Sequence, residues 1–370
     1  MAAGNGNKPP GGAPSWEALL KWSIANTDGL QQAPAREISE EDRKWFNEAL
    51  QAHSIDVIRR MKEISLVLNT PQQILDEQGV TPEEQEGMLE ELQEHVESID
   101  MANDLHAIGG LIPLLNYLKN PHAPIRARAA EVVMTMVQNN EKCQKQVMDE
   151  KGLQLLLHNF TSDEDVNVRA KALGAISSLI RHNKDGVAAF RLGNGYAGLR
   201  DALSTGHPRL QRKALQVLLY LLQENPKDAK VVSDLGLTRV LISLLSSQDA
   251  DIRQGALSCL VETSKDGGLE AAAETRGQLK QLLSQRIEEI KQLGPDDQAA
   301  AKEECYLIDS LWKLAFNEPS PLKQTDLLVP PATNEEEGVE AATSADRSSE
   351  NSSQRVEKSE KSPLMLLGPG

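Results

Sequence analysis

The sequence contains few of the residues that mark disulfide scaffolds, metal sites or membrane spans. It has 3 cysteines in 370 residues, Cys143, Cys259 and Cys305, which are odd in number and far apart. This spacing forms neither a disulfide framework nor a zinc pair, and it predicts buried, reduced thiols. No apolar run approaches the ~20 residues of a membrane span. No signal-peptide pattern opens the chain, so we expect a cytoplasmic protein, with access to the nucleus left open.

Positive charge is also scarce. The chain has 39 Lys and Arg against 55 Asp and Glu, which gives a formal net charge of -16. General binding to nucleic acid or to an anionic membrane needs a basic face, so we expect neither among the partners. Aromatic residues make up only 3% of the chain, which fits an Ala- and Leu-rich stack of helices.

Motifs for catalysis are missing. Gly193, Gly195 and Gly198 match the spacing of the dinucleotide-binding fingerprint, but an apparently helical segment precedes them where that fingerprint requires a strand. No phosphate-binding loop is present, and the 7 histidines show no zinc spacing. We therefore predict a non-enzyme with no catalytic residue, metal or cofactor. An enzyme with a dispersed triad is the least favoured hypothesis.

One pattern is written four times between residues 108 and 267. Each copy opens with a Gly and a Leu-rich run, at Gly110, Gly152, Gly195 and Gly236. In the second apolar run of each copy, one apolar slot is filled by Ile125, Val168, Leu210 and Ile252, whose positions differ by 43, 42 and 42. A period near 42 without strand-like alternation is typical of HEAT and armadillo solenoids. Such repeats bury their apolar faces by stacking on one another.

Two polar columns accompany the repeats. The residue after the apolar slot is Arg126, Arg169, Gln211 or Arg253, which suggests a structural role between repeats first and ligand contact second. The first three copies close with Asn140, Asn183 and Asn225. We expect these asparagines at helix C-termini, because Asn tolerates the left-handed conformation there. The fold class we predict is all-α, an armadillo-like helical solenoid with helical caps and disordered tails.

The rest of the chain divides around these repeats. We expect a flexible segment with a short Trp-containing helix at 1–36, a helical cap at 37–107, a second cap at 268–320 and a disordered, acidic and Ser-rich tail at 321–370. The first cap includes a capping box that begins at Thr81. The helix with Trp16 and Trp22 either docks on the chain's own helices or binds a partner.

A curved solenoid offers a concave groove lined by one helix of each repeat. Helical register selects the positions that face away from the apolar stripe of each long helix. The resulting candidates for partner contact are Glu131, Thr135, Gln138, Ser178, Arg181, Gln216, Tyr220, Gln223 and Glu262.

Several segments, in order, carry a resemblance to a known family. They are WEALLKW at 16–22, SEEDRKWF at 39–46, EHVESIDMANDL at 94–105, GAISSLIRHN at 174–183 and NGYAGLRDA at 194–202. With them the chain resembles the plant branch of the Fes-type Hsp70-binding proteins, which are armadillo-like nucleotide-exchange factors.

The resemblance implies a mechanism. The concave face would embrace one lobe of the chaperone's nucleotide-binding domain, and the bulk of the solenoid would displace the other lobe. ADP would leave, ATP would enter and the client would be released, with a monomer expected. The flexible N-terminal segment of the family has been linked to client release, which suits Trp16 and Trp22.

The alternative is a general armadillo adaptor that binds peptides in its groove. A chain that resembled a nuclear-import receptor would carry a ladder of Trp and Asn side chains along its groove. All 4 Trp of this chain lie outside the repeats. This distribution disfavours import and leaves other adaptor roles open.

Overall fold

Helices alone build the part of the chain that the structure describes. The computed structural model describes residues 40–265 and 273–328, and no β-strand occurs in these two ranges. The first helices are α1 (Glu40–Leu68), α2 (Gln72–Glu77) and α3 (Pro82–Val96). The capping box predicted at Thr81 is present, because its hydroxyl accepts from the amide of Glu84 and the Glu84 carboxylate accepts from the amide of Thr81. The predicted all-α class is confirmed.

Four triads of helices follow α3. Their bounds are α4–α6 (Ile99–Ala107, Leu111–Tyr117, Ala123–Val137), α7–α9 (Glu141–Asp149, Gly152–Ser162, Val166–Ile180), α10–α12 (Lys184–Leu192, Gly195–Leu203, Pro208–Glu224) and α13–α15 (Asp228–Asp234, Leu237–Leu244, Ala250–Lys265). Three helices per repeat is the armadillo arrangement. The predicted repeat boundary at residue 108 therefore needs correction, because α4 belongs to the first triad and not to the cap.

The chain continues with α16 (Ala273–Lys291), α17 (Pro295–Ala300) and α18 (Lys302–Phe316). Two short 3-10 helices, Pro321–Gln324 and Asp326–Leu328, close the described part. Leu322 of the first is fully buried. The predicted boundary between cap and tail at 320 is thus too early, since burial of an apolar side chain holds this segment on the helices.

The apolar slot predicted from the period lies in the core. Ile125, Val168, Leu210 and Ile252 are each at most 1% exposed. They sit near the start of the third helix of each triad, where they are shielded by neighbouring helices. The core is continuous from Met61 in α1 to Leu322, so each triad buries its apolar face against the next.

The Arg and Gln column has a structural role, which joins two repeats at Arg126 and acts within one repeat at Arg169 and Gln211. Arg169 donates from Nε to the carbonyl of Phe160 at 3.0 Å, and Gln211 donates to the carbonyl of Leu203 at 2.8 Å. Arg126 donates to the carbonyls of Asn120 and Pro121 and also reaches Asp163 of the next triad, with Nε–Oδ2 at 2.7 Å. These side chains satisfy carbonyls at the C-terminal end of the second helix, or in the loop that follows it in the case of Arg126.

The asparagine column does something different from what the sequence suggested. Asn140 and Asn183 have extended backbones, with φ of -129° and -116°, and begin the next triad as N-caps. The Oδ1 of Asn183 accepts from the amide of Gly186 at 3.0 Å. The left-handed residues are the ones just before, Asn139 and His182. The prediction of a left-handed helix end at Asn140 and Asn183 was therefore wrong by one residue. Asn225 does end a helix, α12, but its φ of -144° is extended and not left-handed.

We expect Asn183→Ala to destabilise the protein by about 1 kcal/mol, because the first turn of α10 loses its side-chain acceptor. Asn183→Asp keeps an acceptor oxygen and should cost less. Denaturant unfolding followed by circular dichroism measures both variants. Equal losses for the two substitutions would show that the cap bond contributes nothing.

The three cysteines are free and buried, as the sequence predicted. Burial raises the pKa of the Cys143 thiol to about 11, so it stays protonated at neutral pH. Within the described ranges, none of the helices has the length and apolarity needed to cross a membrane.

Candidate functional site

The third helices of the triads form a column. Helix α6 packs on α9, α9 on α12, and α12 on α15. The column extends beyond the triads at both ends, because α3 packs on α6 and α18 packs on α15. Two helices predicted only as caps thus continue the surface on which the candidate groove residues lie.

We define the third-helix face as the side chains of α6, α9, α12 and α15, and of the residue that directly follows each helix, that point away from the core. The exposed members among the predicted residues are Gln138, Arg181, Gln216 and Gln223. Glu131, Thr135, Ser178 and Glu262 are half-buried. The nine predicted residues therefore occupy one column of helices in the order of the triads, with their contact to a partner still a prediction.

Polar contacts join the first helices of the column. The Gln93 amide of α3 donates to the Thr135 hydroxyl at 3.2 Å. Glu131 accepts from Nη1 of Arg128 at 3.2 Å and from the Lys171 ammonium of the next helix. Arg128 also lies 3.5 Å from the carboxylate of Glu86 on α3. Glu131 therefore pairs with one cation on its own helix, α6, and with another on the neighbouring α9.

Tyr220 contributes to packing more than to an open surface. Its side chain is 9% exposed, and its hydroxyl accepts from the backbone amide of His182 at 2.9 Å. The guanidinium carbon of Arg181 lies 4.5 Å from the centre of the Tyr220 ring, a cation–π contact. The pair therefore ties the C-terminal end of α9 to α12 and leaves the outer side of Arg181 open.

Five cations lie on or directly after the adjacent third helices α6, α9 and α12, and we call them the basic cluster. They are Arg128, Lys171, Arg181, Arg209 and Lys213. The charges of Arg209 and Arg128 act on the Lys171 ammonium across helix boundaries. Burial, and then the charge of Arg181, lowers the pKa of Lys213. The chain as a whole is acidic, so these cations give this part of the face a positive charge opposite to that of the whole chain.

Three members of the basic cluster have no carboxylate close enough for an ion pair. Within the described ranges, no carboxylate lies within 4.0 Å of the cationic groups of Arg181, Arg209 or Lys213. Glu131 is the carboxylate that pairs with both Arg128 and Lys171. The opposite sign appears at the edge, where α3 presents Glu86 and Glu90 toward Arg128. Over the described residues, no group of three His, Cys, Asp or Glu is placed to hold a metal ion.

Comparison with known proteins decides the family. A family model described as nucleotide exchange factor Fes1 matches residues 16–105, and one described as the SIL1/FES1/HPBP1 C-terminal domain matches residues 101–226. The Hsp70 nucleotide exchange factor FES1 of Saccharomyces cerevisiae is 32% identical over 241 residues, which cover 63% of this chain and 80% of that protein. The chain belongs to the Fes1 family.

A human relative of this Fes1-family chain, Hsp70-binding protein 1, is 28% identical over 313 residues, which cover 82% of this chain and 86% of the relative. Among solved structures, a designed armadillo repeat protein in complex with the peptide (KR)4 matches 67% of this chain and 99% of its own, with a TM-score of 0.52 and 15% identity. That likeness supports the armadillo fold alone. The predicted family is confirmed, and its plant branch stays a prediction.

Sequence reasoning found part of the face and missed the basic cluster apart from Arg181. The signal that sequence reasoning missed is a column of basic residues on the long helices, one helical turn before the predicted face residues. Positions 128, 171 and 213 follow the same spacing of 43 and 42 as the apolar slot, and all three are basic. Two further predicted residues of this Fes1-family chain, Trp16 and Trp22, lie outside the described residues.

Proposed function

We propose that this chain is a nucleotide exchange factor for an Hsp70 chaperone and that it acts without catalytic residues or a cofactor. Its membership of the Fes1 family carries the proposal. The matched residues, 16–226, include the helices that build the first three triads. Relatives are named for Hsp70 binding and for Hsp70 nucleotide exchange, and such a role needs a binding surface, with no reacting side chain.

The surface we propose for this binding is the third-helix face. Four adjacent helices about 10 Å apart, each exposing roughly 20 Å of length, span about 800 Å². A stable interface of standard size buries about 800 Å² on each partner. The face is therefore large enough to hold one lobe of a nucleotide-binding domain, which is the part of Hsp70 we propose as the target.

Exchange then follows from differential binding. The factor must bind the open, nucleotide-free chaperone more tightly than the closed ADP form, because equal affinity for both states would shift nothing. A tenfold preference corresponds to about 1.4 kcal/mol of coupling. We propose that the remaining helices displace the second lobe, so that ADP dissociates from an opened cleft. We further propose a monomer that works in the cytoplasm and binds neither nucleic acid nor membrane.

The adaptor alternative can be weighed on the same face. An adaptor that reads basic peptides requires carboxylates along its groove, and the designed armadillo protein solved with (KR)4 shares only the fold. The basic cluster would instead repel a basic peptide, since like charges at short range disfavour binding. The charge of the face thus favours an acidic partner surface over a basic peptide.

The test is release of a fluorescent ADP analogue from Hsp70 in a stopped-flow instrument. We expect the purified full-length chain to accelerate release. Linkage requires the reciprocal effect, so ADP should weaken binding of the chain to Hsp70 by the same factor by which the chain weakens ADP binding. An unchanged release rate at saturating chain with an active chaperone would exclude the exchange function.

We expect Gln216→Trp to weaken binding to Hsp70 by at least about tenfold, because an added indole on the exposed centre of the face holds the surfaces apart. Gln154→Trp is the matched control, since Gln154 is also exposed but lies on α8, a second helix. Isothermal titration with Hsp70 measures both. Equal affinities for the two variants would place the contact elsewhere.

A further inference from the structure

Three of the five cations in the basic cluster have no carboxylate partner, whereas Arg128 and Lys171 pair with Glu131. Arg181, Arg209 and Lys213 lie on neighbouring helices without a carboxylate within 4.0 Å in the described part of the chain. Lys213 is half-buried, and its lowered pKa reflects burial and the nearby charge of Arg181. Clustered cations repel one another, and this repulsion is relieved when anions are placed opposite them.

Arg181 and Arg209 differ from the arginines that hold the triads together. Arg126, Arg191 and Arg253 are each paired with a buried carboxylate, at Asp163, Asp228 and Glu304. Such pairs satisfy both partners inside the protein and leave no charge for a ligand. Arg209 is exposed and makes no ion pair with any residue in the described ranges, so its charge faces solvent.

The cluster is also bounded, which limits the kind of anion that fits. Glu86 and Glu90 lie beside Arg128 at the α3 edge, and Glu262 lies on α15 beyond α12. A long polyanion such as RNA would cross these carboxylates and meet a chain of net charge -16. A folded protein surface with a local group of carboxylates matches a bounded cluster better.

We propose that the basic cluster recognises an acidic patch on the chaperone lobe that the third-helix face binds, and that it accelerates their association by electrostatic steering. This inference rests on the proposed exchange function and adds the chemistry of the partner surface. Complementary charge raises association rates by about 10- to 1,000-fold at low salt, and the effect falls steeply with ionic strength. The dissociation rate is governed more by the packed contacts of the interface.

The test measures the association rate of the full-length chain with Hsp70 between about 0.01 M and about 0.15 M ionic strength, where the screening length falls from about 30 Å to about 8 Å. We expect Arg209→Glu with Lys213→Glu to slow association at least about tenfold at low salt and to flatten the salt dependence. The matched control is Lys142→Glu with Lys145→Glu, which makes the same change in net charge on exposed residues of α7. It should stay within about twofold of the unaltered chain.

Two further measurements keep the outcome clear. Arg209→Glu alone changes only an exposed side chain, so it should fold normally and still slow association more than Lys145→Glu alone. A single-stranded RNA probe should compete poorly with Hsp70.

The possible failures are distinguishable. If the chain accelerates ADP release but its association is insensitive to salt and to the Arg209 and Lys213 reversals, the acidic-patch inference is wrong and the exchange function stands. Displacement of Hsp70 by RNA at equal concentration would also overturn the inference. If the unaltered chain does not bind Hsp70 at any salt concentration, the exchange function and the inference fail together.

Discussion

Replacing Glu304 with alanine is expected to lower the free energy of unfolding by about 3–5 kcal/mol. The Glu304 side chain is 2% exposed and accepts from two arginines on different helices. Arg253 of α15 donates from Nε and Nη2 at 3.0 and 3.2 Å, and Arg286 of α16 donates from Nε and Nη2 at 2.8 and 3.1 Å. Without the carboxylate, the poorly exposed guanidinium of Arg253 loses its ion-pair partner in the described chain, and that of Arg286 keeps only the more exposed Glu289 at 3.0 Å.

Denaturant unfolding monitored by circular dichroism measures this loss. The control is Glu91→Ala, which removes the Arg60–Glu91 ion pair, a pair of similar length at 2.7 Å between side chains that are 45% and 34% exposed. Exposed pairs contribute at most about 1 kcal/mol. If Glu304→Ala costs no more than Glu91→Ala, the buried carboxylate does not hold α18 on α15 and α16.

The same carboxylate predicts a pH dependence. Burial opposes ionisation of Glu304, but the hydrogen bonds from Arg286 and Arg253 outweigh it, and the pKa of Glu304 lies below its ordinary value. A lowered carboxyl pKa stabilises the fold above the unfolded-state pKa of about 4.3, and this stabilisation is lost as the pH falls through the folded-state pKa. The stability difference between the unaltered chain and Glu304→Gln should therefore be full at neutral pH and narrow below about pH 4.

The sequence predicted the second and third helix of each repeat because both carry a regular apolar stripe. It revealed the first helix only in the third repeat, where an apparently helical segment precedes Gly193, because this helix is otherwise short and mostly polar. In α7 the buried side chains are Cys143, Gln144 and Val147 alone. So few apolar positions give no clear helical period, and their burial depends on neighbouring triads. This gap explains why Asn140 and Asn183 were assigned to the end of one helix when they cap the start of another.

The candidate face was predictable in outline and not in detail. Register on a single helix shows which positions face away from its own stripe, and it placed Gln216 and Gln223 correctly on the exposed side. It cannot show what a neighbouring helix covers. Tyr220 occupies an equivalent position, yet the ring lies under Arg181 and the hydroxyl binds the backbone of the previous triad. The open surface depends on side chains about 40 residues apart in the sequence.

The glycines of the false dinucleotide fingerprint have a packing role. Helix α10 precedes them and Gly195 begins α11, so the strand that the fingerprint requires is absent at this point of the described chain. A Cβ at Gly195 would lie 2.4–2.5 Å from three atoms of the Phe190 ring. A Cβ at Gly198 would meet the Phe160 ring at 2.7 Å. The first two helices of the third triad can approach each other because position 195 has no side chain.

This close approach sets the second large prediction. Phe190→Ala is expected to cost about 3–5 kcal/mol, because the ring is fully buried and contacts the edge of Tyr196 at a centroid distance of 6.0 Å. Gly195→Ala alone should cost about 1–3 kcal/mol, since its new methyl collides with a ring that has no room to move. In the Phe190→Ala background, the same methyl enters the vacated space and should cost close to nothing.

A double-mutant cycle on urea unfolding measures the coupling, expected at about 1–3 kcal/mol. Gly277→Ala is the control. Gly277 is an exposed residue within α16, and a Cβ added there would meet no atom within 4 Å. That substitution should stabilise the chain by up to about 1 kcal/mol through lower entropy of the unfolded state. Additive costs at 190 and 195 would mean that the glycine is needed for its backbone and not for the ring. A coupled result would show that the glycine that opens the third repeat is needed because the Phe190 ring packs against it, so that Gly195 reports helix packing and not a nucleotide-binding turn.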